Sequence, residues 1–192
     1  PYYFSVINGD PNSSKYNTQF NVSWGHYAGS GSEVNPNTKG TSEAIYKQYA
    51  SMLLDDKSID GGFLISSGSD VRDDGIDGNK DEWIYVLNFN RKDFEDQLQN
   101  GTWTLTLSGS SHVISGKKHW SNTIHSSSEH AKTIELTDDS LTNLTPPIIT
   151  DAGRRFNIVS GSNGTPHGGY NHIGGRYGFF YPDAGLMVFG EK

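Results

Sequence analysis

The chain of 192 residues contains no cysteine, and that absence removes several chemistries at once. A disulfide framework, a thiolate zinc site and a cysteine nucleophile are all excluded. Nor is there a basic block: 15 lysines and arginines stand against 22 acidic residues, a formal charge of −7. A protein that grips duplex phosphates needs clustered cations, so nucleic acid is not an expected partner. No apolar run approaches the roughly 20 residues that span a bilayer as a helix, and membrane insertion is not expected. No secretory leader pattern is visible. The chain starts at Pro1 rather than methionine, which reads as a processed product or a fragment.

What the chain does have is glycine and rings. It carries 23 glycines and, with hydrophobic content of only 33%, nine Phe, ten Tyr and four Trp. Aromatics raise the area that each apolar residue can bury, and the glycines with many Ser, Thr and Asn point to strands and loops. The expected class is α+β: a mainly antiparallel β-sheet or sandwich with two short helices, at about 41–54 and 91–99. Residues 1–192 read as a single structural domain, large enough to bury a core.

Period-two patterning places the strands. Tyr2 to Ile7 forms a first strand, stopped by Asn8-Gly9-Asp10-Pro11. Phe20, Val22, Trp24 and His26 alternate with polar or small neighbours, as a half-buried strand does. Gly29 to Gly40 is a polar loop. The spacing of Ile45, Tyr49, Met52 and Leu53 then predicts a helix, with Thr41 as N-cap and Glu43 near its positive end. Phe63 to Ser66 begins a short strand, and an acidic loop runs from Asp70 to Glu82. In Trp83 to Phe89, residues Trp83, Tyr85, Leu87 and Phe89 line one face while Ile84 and Val86 occupy the other, the pattern of a central strand covered on both sides.

Asn90 is placed to cap the second helix, whose Phe94 and Leu98 lie one turn apart before Asn100-Gly101. Trp103, Leu105 and Leu107 alternate with threonines in the next strand. Ser108 to Ala131 is a weakly patterned excursion with a hairpin suggested by Val113-Ile114 and the stretch from Trp120 to Ile124. Gly161 to Gly169 is read as a loop, and Tyr177 to Gly190 as two strands around Pro182-Asp183-Ala184-Gly185.

Candidate chemistry is sparse. Asp70, Asp74, Gly75 and Asp81 fall at the first, fifth, sixth and twelfth places of a calcium-loop template, but Arg72 puts a cation where a ligand belongs. A solvated acidic hairpin tip is the preferred reading. His112, His119, His125 and His130 cluster in one region, yet their spacings match no recurrent zinc pattern. There is no GxSxG elbow for a hydrolase nucleophile, and the acidic cluster does not supply two carboxylates across a cleft. No catalytic residue, metal ligand or cofactor is assigned. Trp24, Tyr27, Trp120 and Tyr170, set among polar or glycine neighbours, are the candidate contacts for a glycan or a protein partner.

Six segments carry a family likeness: Val22 to Ser32, Thr41 to Leu54, Trp83 to Arg91, Asn100 to Gly109, Arg155 to Ser162 and Tyr177 to Phe189. In this order they resemble a group of virion structural proteins from T-even-like contractile-tailed phages of marine cyanobacteria. Members are generally longer, so the resemblance implies one module of such a protein. It implies a place in the particle, in the tail, baseplate or fibre-attachment region. The first hypothesis is then a non-enzymatic structural protein that forms homo-oligomers and docks to neighbouring virion proteins. Assembly would precede in the host bacterial cytoplasm, whose reducing environment suits a cysteine-free chain. The loops Gly25 to Gly40 and Ser108 to Ala131 are the expected contacts. The alternative is a carbohydrate-binding module of a receptor-binding fibre or lectin, facing a host-surface glycan. A polysaccharide depolymerase is the third reading.

Overall fold

Alternating side chains become strands, and strands become one curved sheet. The computed structural model describes residues 3–9, 17–29, 40–54, 62–65, 80–94, 96–114, 117–121, 131–142, 147–167 and 176–190, with backbone only at 109–114, 117–121 and 131–132. Its elements run β1 (Tyr3–Asn8), β2 (Asn17–His26), α1 (Gly40–Leu53), β3 (Trp83–Phe89), β4 (Leu105–Ile114), β5 (Lys117–Ser121) and β6 (Ala131–Asp138). They continue with β7 (Ile148–Thr150), β8 (Gly153–Ser162), β9 (Thr165–Pro166), β10 (Arg176–Tyr181) and β11 (Leu186–Phe189). The sheet order is β1-β2-β3-β11-β10-β8-β6-β4-β5, with β7 and β9 paired to β8 off this path. Every pairing is antiparallel, and the sheet curls into a half-barrel.

β3 lies between β2 and β11, so the strand read as two-sided is indeed internal. Ile84 and Val86 join Phe179, Tyr181 and Val188 beneath α1, packed with Tyr46, Ala50 and Leu53. Leu87 faces the other way, into a second cluster with Leu136, Phe156, Ile158, Phe180 and Met187. The junction of β3 with β11 joins the N-terminal and C-terminal strand sets, with Val86 opposite Val188.

The helix at 41–54 is present but rotated from its expected face. Its buried residues are Ser42, Tyr46, Ala50 and Leu53, while Met52 is exposed and Ile45 and Tyr49 are only half-buried. Two local features decide this. A Cβ on Gly25 would lie 2.7 Å from the Tyr46 backbone nitrogen, so only glycine there lets β2 and α1 approach so closely. The Tyr46 hydroxyl also donates to the Asp81 carbonyl at 2.7 Å and accepts from the Phe63 amide at 2.9 Å. Thr41 is not the cap, because the helix begins at Gly40.

Among the described residues of the expected helix at 91–99 no α-helix is present; a single 3-10 turn, Arg91–Asp93, stands at its start. Asn90 makes no cap bond and instead donates its side-chain amide to the Thr18 carbonyl. The Leu98 amide is committed to the Pro182 carbonyl, which pulls the chain across the β10–β11 turn. Trp103 lies before β4 rather than within it, its ring edge-on to Phe180 at 5.4 Å.

Residues 62–65 form no ladder, although a strand was expected from Phe63. Their backbone is bonded otherwise: Asp81 brackets them through its own amide and carboxylate, and the Arg176 guanidinium donates to the Leu64 and Ile65 carbonyls. The glycine-rich stretch from 161 is a hairpin, not an open loop. Asn163 and Gly164 adopt φ of 47° and 72° between β8 and β9, the two-residue turn that Asn-Gly favours. The excursion from Ser108 contains a hairpin as anticipated, though it pairs β4 with β5, setting Val113 opposite Lys118. The acidic residues 70–79 and the histidines 125 and 130 lie outside the described residues.

Candidate functional site

Directly opposed residues of an antiparallel ladder share one face, so register alone assembles a strip of rings. Phe20 pairs with Phe89, Val22 with Leu87 and Trp24 with Tyr85 across β2 and β3. β1 adds Phe4 opposite Val22, and β11 adds Phe189 opposite Tyr85. The Phe20 and Phe89 rings sit 5.2 Å apart, and Phe4 and Trp24 6.3 Å apart. This is the face opposite α1.

Burial along the strip is greatest at Leu87 and lower around it. Leu87 is 8% exposed, whereas Tyr85 is 44% and Phe4 53% exposed. Leu98 and Trp103 pack over the inner end with the second cluster. Trp24 and Phe189 are half-buried between these limits. An aromatic surface open to solvent over several adjoining strands can stack a flat ligand or bury against another protein.

Among the described residues, one of the candidate contacts lies in this strip. Trp24 does. Tyr27 turns to the helix side, edge-on to Tyr46 at 5.5 Å, and lines an open depression of about 600 Å³ with Ala44, Lys47, Gln48 and Ser51. Trp120 is on β5, at the far end of the sheet order from β1 and β2, and Tyr170 lies outside the described residues. Trp24 and Tyr27 thus face opposite sides of the sheet.

Phe4, Tyr85 and Phe189 were missed as candidates. The period-two aromatics were visible in the chain, but no sequence signal says which of them a covering segment leaves open.

The buried polar groups have structural tasks. Asp138 accepts the Gly101 amide on both carboxylate oxygens, at 2.8 and 3.1 Å, and the Ser140 amide at 3.0 Å. Asp139 holds the Asn157 amide and side chain at 2.9 and 2.8 Å. Thr137 donates to the Trp103 carbonyl and accepts the Gly164 amide, both at 2.7 Å. These N–H donors replace water around charges and hydroxyls that would be costly to bury alone.

His26 is buried, with Nδ1 accepting the Ala28 amide at 3.1 Å and Nε2 3.7 Å from the Glu82 carboxylate. Two guanidiniums lie over the Phe179 ring, Arg155 at 4.2 Å and Arg176 at 5.3 Å from its centre. Burial pushes the Tyr181 phenol up to about 12, with Arg155 pulling it the other way.

Of the calcium-template residues only Asp81 is described; it is buried, and its carboxylate accepts the Ile65 amide at 2.6 Å. Among the described residues no group of three or more His, Asp or Glu side chains could hold a metal ion. The pair His112 and His119, set aside on spacing, is brought opposite in the β4–β5 ladder.

Comparison with known protein families, with curated proteins and with solved structures finds no match for the chain.

Proposed function

We propose that the chain is a non-enzymatic structural component of a phage virion, of the tail, baseplate or fibre-attachment region. It works by self-association and by docking to neighbouring virion proteins. The observation that carries this reading is the open aromatic strip ending at β1, where Phe4 on the edge strand and Tyr85 on the internal β3 offer ring surface to solvent. Contact surfaces of assemblies are rich in such residues because rings bury much area at little entropic cost. Further support comes from where the resemblance falls: its segments contribute to α1, β2, β3, β4, β8, β10 and β11, the framework itself. Mass spectrometry of purified cyanophage particles tests the reading. The chain is expected at a fixed ratio to other tail proteins, and its absence from particles overturns the proposal.

One observation favours a second reading as well. Trp24 and Tyr85 stand side by side across β2 and β3 next to Phe4, an arrangement that suits stacking of a sugar ring. A glycan array separates the two. Binding by the parent that is lost in Trp24→Ala and Tyr85→Ala supports a receptor-binding module, and no signal from the parent removes it.

A further inference from the structure

We infer that β1 is a self-pairing edge: two copies of the chain join by antiparallel pairing of Tyr3–Asn8, extending the sheet across a twofold axis. The inference deepens the structural-component reading and rests on it for its biological use.

β1 ends the sheet order, and among the described residues its outer side carries no ladder. A strand in that position offers a row of backbone donors and acceptors, so the occupant that satisfies them is another strand. Natural edges are usually guarded by lysine, proline or inward charge. The stretch Tyr-Phe-Ser-Val-Ile-Asn has none of these, and where the register shifts between Val6 and Ile7 the extra residue is Gln19 of β2, not a residue of the edge strand. Tyr3, 60% exposed, and Phe4 keep apolar surface open on either side of the strand.

The uncharged edge admits a second copy. At −7, two chains repel over most of their surfaces, and an uncharged edge lets them meet without opposing like charges. The strand is also self-complementary. With the axis through Ser5, Phe4 of one copy falls opposite Val6 of the other, and Ser5 opposite Ser5. The aromatic strip then runs continuously from one copy into the next. Six residues span about 20 Å, a small part of the roughly 1,600 Å² that a standard stable interface buries. Association is therefore expected to depend on concentration rather than to be permanent.

The absence of cysteine makes the test clean. In the paired state the two Ser5 Cα atoms would lie about 4.5–5.5 Å apart, inside the ~4.4–6.8 Å that a disulfide requires. On mild oxidation Ser5→Cys is expected to give a linked dimer, while Ser51→Cys on the exposed side of α1 stays monomeric. Adding Phe4→Lys to Ser5→Cys should suppress the link several-fold, with circular dichroism matching the parent because Phe4 is more than half exposed.

Equal linking at both positions, or none at Ser5, overturns the inference. So does sedimentation of the unaltered chain as a monomer across a dilution series, which would assign the edge to a different partner. The parent reading is judged separately: a virion protein that stays monomeric sinks only this inference, and a dimer absent from particles sinks only the other.

Discussion

The two faces of the sheet use the same kinds of side chain and leave them in different states. On the helix side, Phe179, Tyr181 and Val188 are buried under α1 and the segment 62–65. On the opposite face, Phe180 and Met187 are equally buried, yet Tyr85 and Phe4 on the same surface reach solvent. The difference lies in what covers them. Tyr46, Phe63 and Ile65 form a lid on one side, fixed by the hydrogen bonds that Asp81 and Arg176 supply. The other side is covered by Leu98 and Trp103 at its inner end. Burial here is a property of the covering segment, not of the residue.

The comparison breaks first where the effect is largest. Phe180→Ala should cost about 3–5 kcal/mol, because it empties a fully buried position. Tyr85→Ala, on the same face but 44% exposed, should cost no more than ~1 kcal/mol, since the lost area was partly wet already. Chemical denaturation of both variants measures the contrast, and equal losses would mean that the strip is covered.

The next effect concerns the helix-side lid. Gly25→Ala places a methyl group against the Tyr46 backbone and should destabilise by about 1–3 kcal/mol as α1 moves outward. Gly40→Ala, where an added Cβ meets nothing within 4 Å, should be neutral or slightly stabilising.

A smaller effect appears at alkaline pH. The Tyr181 phenol is raised by burial to about 12, whereas the unfolded chain titrates it near 10. Between these values the folded chain retains a proton that the unfolded chain has lost. Its contribution is thus whole below about pH 10 and lost as pH climbs towards about 12. Tyr181→Phe should flatten the alkaline limb of the stability profile, and an unchanged limb would place its cause elsewhere.

Much of the framework was legible because local pattern and tertiary role agree. The two-sided run from Trp83 to Phe89 could only be internal, and Pro182 to Gly185 could only be a turn. The helix at 41–54 was legible in existence but not in orientation. Hydrophobicity favoured Ile45 and Met52, while the close approach at Gly25 and the Tyr46 hydroxyl network chose Ser42, Tyr46 and Ala50.

The second helix failed for a similar reason. Leu98 bonds to Pro182, distant in sequence, and no local signal announces that bond. Asn163-Gly164 was a readable hairpin signal passed over among glycines. At the candidate site, Trp24 was recognised, but Tyr85 read as framework because alternation shows which residues share a face and not which face is left open.

Amide hydrogen exchange of β1, followed by NMR over a range of protein concentrations, tests the open-margin account most directly. The outward amides of Tyr3–Asn8 should exchange quickly in dilute solution and slow as concentration rises, while β3 and β10 stay protected throughout. Exchange in β1 that is equally slow at every concentration, or equally fast, would contradict it.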